Sequence, residues 1–151
     1  MGRKDARYMT ELDASNKFYT YLMPKRVNAA CWTQLTVECQ QLINFIEEKK
    51  QNGERYTIFH IVVAALIRTA ALYPQLNRFI FGHKIYARKD YTISFAINLG
   101  EKTVFRKVWL EPNNTISEVR EKLENTIKNA RTNPYDSLDD TMNIMMKLPG
   151  F

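Results

Sequence analysis

Two histidines and two cysteines are the residues of this sequence best suited to acid, base or nucleophilic chemistry near neutral pH. His60 lies within an apolar stretch, where we expect a core histidine bonded to the backbone or to a neighbouring side chain. His83 follows a glycine at a predicted turn, and we expect a solvated turn residue there. Neither position indicates a catalytic base.

The two cysteines, Cys31 and Cys39, lie in one strand-like segment. At ~3.3 Å per residue an extended chain would hold them ~26 Å apart, far beyond the reach of a disulfide. Neither has the Cys-x-x-Cys spacing or the nearby histidine that a zinc or redox site needs. We therefore expect two buried thiols and no metal site.

The motifs of several common enzyme classes are missing from the sequence. It contains no glycine-rich phosphate loop, no His-Glu-x-x-His helix and no Gly-x-Ser-x-Gly elbow. Taken by themselves, the residues therefore indicate no catalytic residue and no cofactor-binding residue.

Composition and charge limit the class of protein. The 151 residues are 45% hydrophobic and 25% charged, which is typical of one globular domain and excludes disorder. The net charge of +6 is compatible with an anionic partner, but the basic residues form no continuous stripe, so we expect a solvated surface and no nucleic-acid partner. They lie in short groups: Arg3, Lys4 and Arg7; Arg78, Lys84, Arg88 and Lys89; Lys102, Arg106 and Lys107.

The hydropathy pattern argues against a membrane protein. The longest apolar run, residues 61–67, is far shorter than the ~20 residues that span a bilayer. Residues 1–10 are too polar for a signal peptide. We therefore expect no membrane partner and a cytoplasmic location.

The first elements that the sequence predicts are a strand and two helices. Alternation of Thr, Leu, Val and Cys with polar residues predicts a strand over residues 28–39. Helical spacing predicts a helix Gln40–Gln51, which Asn52 and Gly53 would end. A second helix, Ile58–Leu72, begins after Thr57 and is apolar on every side, so we expect it to be buried all round.

The second half of the sequence predicts a hairpin, a strand pair and two further helices. The hairpin joins residues 79–81 to 84–88, and the strand pair joins residues 91–99 to 104–110. Thr115 and Glu118 form a capping box for the third helix. The fourth helix, residues 138–148, carries a methionine stripe that we interpret as core filler. The result is an α/β unit, an α+β two-layer sandwich with a largely antiparallel sheet.

Five segments resemble one known family in content and order. The most specific is Tyr-Pro-x-Leu-Asn-Arg-Phe, which begins at Tyr73, and the others are residues 21–26, 59–66, 82–86 and 93–97. They are similar to the first half of the chloramphenicol acetyltransferase-like fold and, more closely, to the acyltransferase subunit of 2-oxoacid dehydrogenase complexes. The resemblance covers nearly the whole chain.

This resemblance implies a coenzyme A-dependent acyltransferase domain. Such domains are usually trimeric, have active sites in channels between subunits, and act on acyl-CoA or lipoyl-type substrates. A histidine deprotonates the acceptor thiol or hydroxyl, which attacks the acyl thioester, while a hydroxyl donor stabilises the oxyanion. That histidine belongs to a His-x-x-x-Asp-Gly motif near the C-terminus of the family's domain.

The sequence lacks this motif. The positions of Asp and Gly after His60 are Ala64 and Ala65, and no Asp-Gly dipeptide occurs anywhere. We therefore expect residues 1–151 to be the N-terminal part of a single acyltransferase-like domain that is inactive alone. It would be a gene fragment, a truncated form of the protein or one piece of a split protein. For Arg26 the resemblance leaves two roles open, namely lining the substrate site and pairing with an acid of the other half.

Two readings from other classes stay open. One is a non-catalytic assembly or binding module that keeps the same fold. The other is a basic nucleic-acid binder, which rests on net charge alone and predicts an affinity that falls steeply with salt.

Overall fold

A computed structural model of the chain describes residues 3–23, 25–100 and 102–134, with the main chain alone for Arg26. The helices in these ranges are α1 Ala14–Leu22, α2 Gln40–Gln51, α3 Ile58–Leu72 and α4 Ile116–Thr132, with two 3₁₀ turns at Arg26–Ala29 and Pro74–Asn77. The strands are β1 Ala6–Tyr8, β2 Arg78–Phe81, β3 Lys84–Arg88, β4 Tyr91–Asn98 and β5 Thr103–Leu110. One antiparallel sheet has the order β1-β3-β2 and the other pairs β4 with β5, which confirms a mixed fold with antiparallel sheets.

The best-packed part of the fold is the layer in which α3 and α4 cover the β4–β5 pair. The strands pair in one unbroken register from Tyr91 opposite Leu110 to Asn98 opposite Thr103. Leu123 of α4 is 0% exposed there, because it packs between the two strands and the inner face of α3. The buried members of this cluster are Val63, Ile67, Val108, Leu110, Val119 and Leu123.

Helix α4 begins as its sequence predicts. The Glu118 N–H donates to Thr115 Oγ1 at 3.3 Å, and the Thr115 N–H donates to a carboxylate oxygen of Glu118 at 2.7 Å. The pKa of Glu118 is lowered, first by this main-chain hydrogen bond and then by the Thr115 hydroxyl. The capping box is therefore confirmed, and both its members satisfy N–H groups that a helix start leaves unpaired.

Helix α3 has the predicted bounds, but the expectation that it is buried all round is wrong for the described part of the chain. Val63 and Ile67 face the core, whereas Ile58, Leu66 and Leu72 are 53%, 55% and 67% exposed. Helix α4 and the β4–β5 pair cover one side of α3, and no described element covers the opposite side. An apolar side chain is buried only where a neighbour is present to exclude water.

The predicted strand over residues 28–39 is also wrong. A 3₁₀ turn occupies Arg26–Ala29, and residues 30–39 form no regular structure. Leu35 is 81% exposed and Val37 73% exposed, because no described strand lies beside this segment to complete a ladder. Cys31 and Cys39 are exposed free thiols, so the prediction of buried thiols is wrong for the same reason.

Two N-terminal elements have no counterpart in the sequence prediction. Helix α1 begins after Asp13, whose carboxylate accepts the Asn16 N–H at 2.7 Å, and this bond lowers the pKa of Asp13. Strand β1 has three residues, too few for a period of two to be visible. The predicted helix at residues 138–148 lies outside the described residues.

Candidate functional site

A groove of about 980 Å³ lies where the end of α1 meets the β2–β3 hairpin. The hairpin groove, as we call it, is lined by Thr20, Met23, Lys25 and residues 29–32, and by residues 78–80, Gly82 and His83. Trp32 is 95% exposed at its edge. The groove thus combines apolar walls with two cations, Lys25 and Arg78, a thiol and an imidazole.

His83 fastens the hairpin to α1 through two reciprocal hydrogen bonds. Its Nδ1 lies 3.0 Å from the Thr20 carbonyl oxygen, which can only accept, so Nδ1 carries the hydrogen. The Thr20 hydroxyl donates in return to the His83 carbonyl oxygen at 3.1 Å. The imidazole also stacks on Tyr21, with ring centroids 4.5 Å apart and planes inclined by 2°. His83 is an exposed turn residue, as expected, and it also positions one wall of the hairpin groove.

The turn itself explains the conformation of His83. Gly82 and His83 have φ of 55° and 59°, the two consecutive left-handed residues that a tight type I′ hairpin requires. Histidine visits this region less readily than glycine, because of its Cβ. The contacts with Thr20 and Tyr21 offset that cost.

The second histidine is buried at the start of α3. His60 is 5% exposed, and its Nδ1 accepts the Thr57 N–H at 3.3 Å, while the His60 N–H donates to Thr57 Oγ1 at 3.4 Å. Burial lowers the pKa of His60; the charge of Glu124 opposes this shift, and that of Arg120 adds to it. The ring is therefore a neutral helix cap, which confirms the expectation of a core histidine bonded to the backbone.

A cavity of about 550 Å³ lies beside this cap, and we call it the α3 cavity. Arg55 and Arg120 line it together with Glu124, His60, Thr57 and Gly53. The Arg120 guanidinium lies 4.7 Å from the centre of the Tyr56 ring, and its Nε is buried without a hydrogen-bond partner among the described residues. Two guanidinium groups beside a helix N-terminus fit an anionic group, and Glu124 limits how much negative charge the cavity accepts.

Among the described residues no hydrogen bond joins a thiol to an imidazole ring, although Cys31 and His83 both line the hairpin groove. Each imidazole forms its ring hydrogen bond with a main-chain atom, His60 with Thr57 N–H and His83 with Thr20 C=O. No group of three or more His, Cys, Asp or Glu within the described ranges is arranged to hold a metal ion. Arg26 begins the 3₁₀ turn at the hairpin groove, but its side chain lies outside the described residues, so both of its predicted roles stay predictions.

Some features of these two sites carried no signal in the sequence. The contact of His83 with Thr20 joins residues 63 positions apart, and Arg120 meets the N-terminus of α3 only after α4 has packed on it. Sequence patterns predict contacts between residues a few positions apart. Neither of these contacts is of that kind. The local signals available were the position of His60 three residues after Thr57 and that of His83 directly after Gly82.

Comparisons with known proteins identify one family and one similar fold. The chain matches the family described as 2-oxoacid dehydrogenases acyltransferase (catalytic domain) over residues 22–142, which is more than half of its length. Its fold is similar to the crystal structure of a probable dihydrolipoamide acetyltransferase from Listeria monocytogenes 4b F2365, with a TM-score of 0.62 and 19% sequence identity. That alignment covers 87% of this chain and 59% of the Listeria chain.

The sequence search among curated proteins found no match. Within the described ranges, every helix is too short or too polar to cross a membrane.

Proposed function

Because the chain belongs to the 2-oxoacid dehydrogenase acyltransferase family, we propose that it forms the N-terminal part of a coenzyme A-dependent acyltransferase domain. The complete domain would transfer an acyl group between a thioester and a thiol or hydroxyl. The observation that carries this proposal is the family match across residues 22–142. The chain alone would be inactive, since its 151 residues contain no His-x-x-x-Asp-Gly.

The surroundings of His60 support inactivity of the isolated chain. A general base needs a free ring nitrogen within hydrogen-bond reach of the acceptor's proton. In His60, Nδ1 is occupied by the Thr57 N–H, so in the neutral ring Nε2 carries the hydrogen and has no lone pair to offer. In His83, Nδ1–H is donated to the Thr20 carbonyl and Nε2 of the neutral ring keeps its lone pair, so His83→Ala is the variant that tests whether this ring acts as a base.

The α3 cavity supports a role in coenzyme A binding. The guanidinium groups of Arg55 and Arg120 supply positive charge for a phosphate, and these residues would hold a phosphate of coenzyme A. The bound thioester supplies the acyl group. The isolated chain should bind coenzyme A weakly or not at all, because the rest of the channel would come from the other half of a neighbouring subunit.

The oligomer and its location are part of the same proposal. A homotrimer would complete the channels between subunits, with an acyl-CoA or lipoyl-type molecule as substrate. The free thiols Cys31 and Cys39 fit a reducing compartment such as the cytoplasm.

The test is complementation. The C-terminal half of the Listeria acetyltransferase is fused to this chain or added to it, and acetyl transfer from acetyl-CoA to dihydrolipoamide is measured. We expect no transfer by the chain alone and measurable transfer by the complemented protein. A His→Ala change in the supplied motif is the matched control and should abolish transfer. Turnover by the isolated chain that is lost in His83→Ala would overturn the proposal.

A non-catalytic assembly module with the same fold is the second candidate, and one observation favours it. The outer side of α3 and residues 30–39 expose large apolar side chains that a partner would cover. The same experiment separates the two candidates, because a module would form a compact complex with the supplied half and still show no transfer.

A further inference from the structure

One face of the β1-β3-β2 sheet carries an unusual concentration of aromatic and basic side chains. Residues paired in an antiparallel register point to the same side, and the pairs here are Tyr8 with Tyr86, Phe79 with Tyr86, and Phe81 with Lys84. Arg88 is two residues after Tyr86 and shares that side. We call this surface the aromatic face, and its members are Tyr8, Phe79, Phe81, Lys84, Tyr86 and Arg88.

Cations lie directly on the rings of the aromatic face. The Arg3 guanidinium is 5.1 Å from the ring centre of Phe79 and 5.3 Å from that of Phe81. The Arg88 guanidinium is 4.6 Å from the Phe79 centre, and Lys84 Nζ is 5.6 Å from the Tyr8 centre. Arg3 comes from the N-terminal segment and the other cations from β3, so β1 pairing joins two basic groups that are far apart in sequence.

The aromatic face is open to solvent and positively charged. Tyr8 is 41% exposed and Phe81 61% exposed, and Arg3, Lys84 and Arg88 are exposed as well. Asp5 is a carboxylate at this edge of the sheet, and it forms a two-pronged ion pair with Arg3 at 2.9 and 2.8 Å. Lys84 and Arg88 form no ion pair with an acidic side chain among the described residues.

We propose that the aromatic face binds single-stranded nucleic acid. Bases stack on aromatic rings and on guanidinium planes, and Tyr8 and Phe81 offer such rings on either side of β3, with the Arg3 guanidinium over Phe81. The positive charges of Lys84 and Arg88 would contact the phosphates of the bound oligonucleotide. An apolar partner would offer no such charge complementarity. A duplex fits less well, because its bases are stacked on each other and hide the surfaces that the rings would contact.

The experiment measures fluorescence anisotropy of a labelled 12-nucleotide oligo(dT) with the full chain at ~50 and ~200 mM salt. We expect binding at low salt, and a Lys84→Ala, Arg88→Ala double variant should lower the salt slope by about 1.4, since each lost phosphate contact removes about 0.7. Phe81→Ala should weaken binding roughly tenfold and Phe81→Tyr should restore it. Far-UV circular dichroism checks that each variant is folded.

Lys107 and Trp109 provide the matched control. They form a similar exposed cation and ring pair, 5.3 Å apart, on β5 outside the aromatic face. Lys107→Ala and Trp109→Ala should leave affinity within about twofold. The proposal fails if no binding occurs at low salt, or if the control variants lose as much affinity. It also fails if duplex DNA, heparin or anionic vesicles bind as tightly with no effect of Phe81→Ala.

Discussion

Strand β4 and residues 30–39 alternate apolar and polar side chains in the same way, but their surroundings are opposite. Every residue of β4 pairs with β5, and its Ile97 is 7% exposed beneath α4. In residues 30–39, Leu35 is 81% exposed with no described strand beside it. The difference shows that alternation makes a segment competent to form a strand, and that a neighbouring strand and an apolar layer are needed to form it.

The largest effect should come from supplying that missing neighbour. The isolated chain exposes large apolar side chains on α3 and on residues 30–39, so we expect it to self-associate and to bind a hydrophobic dye. Adding the C-terminal half of a related domain should give a compact, dye-silent particle. Sedimentation velocity and dye fluorescence make both measurements. If the chain alone sediments as a monomer, binds no dye and unfolds cooperatively, then residues 30–39 and α3 do not lack a neighbour and the comparison is wrong.

The packed core and residues 30–39 should also differ in how much stability is lost when a leucine is truncated. Leu123→Ala opens a cavity in the core and should lower the free energy of unfolding by roughly 2–5 kcal/mol. Leu35→Ala should change it by less than about 0.5 kcal/mol in the isolated chain, since Leu35 is already in water. Urea unfolding gives both values. A cost for Leu35→Ala that appears only after complementation would place Leu35 against the new partner.

A smaller effect concerns the neutral cap of α3. Because folding lowers the pKa of His60, its contribution to stability is complete above the unfolded pKa of about 6.5 and is lost as pH falls through the lower folded pKa. Glutamine can accept the Thr57 N–H at any pH, but it replaces the buried imidazole that contacts Tyr56 and Phe59. His60→Gln should therefore cost about 1 kcal/mol near pH 7, through lost packing, and remove this part of the pH dependence.

Thermal unfolding from pH 7.5 to 5.0 tests the His60 prediction. Any residual activity should be unchanged in His60→Gln, because His60 is a core residue. An unchanged melting temperature together with lost activity would reverse that assignment.

An effect of similar size is expected from the loss of the α4 cap. Thr115→Ala removes the hydroxyl that accepts the Glu118 N–H and should cost about 1 kcal/mol. Thr132→Ala, at the exposed end of α4, is the control and should cost less than about 0.5 kcal/mol. Equal losses in the two variants would mean that the capping box does not stabilise α4.

Local signals in the sequence predicted α2, α3, α4 and both hairpins well. Thr57, Thr115 and Gly53 act within a few residues of their own positions, and the structure confirms all three. Strand β1 is too short to show a period, and residues 30–39 show a period without the neighbour that would use it.

The candidate sites were less predictable because they depend on long-range packing. The role of His60 followed from its apolar surroundings and is confirmed, whereas the bonds of His83 to Thr20 and the meeting of Arg120 with α3 arise only after folding. The catalytic motif of the family does not occur in these 151 residues, and the position of the Arg26 side chain stays a prediction.

The pairing of β1 with β3 has a consequence for the order of folding. Strands β4 and β5 and helix α4 follow one another directly, so their contacts close short loops and should form early. Ala6 opposite Arg88 closes a loop of roughly 80 residues, whose entropy cost is much larger than that of a hairpin. Strand β1 should therefore dock late and open first, and its amide protons should exchange with solvent sooner than those of β4.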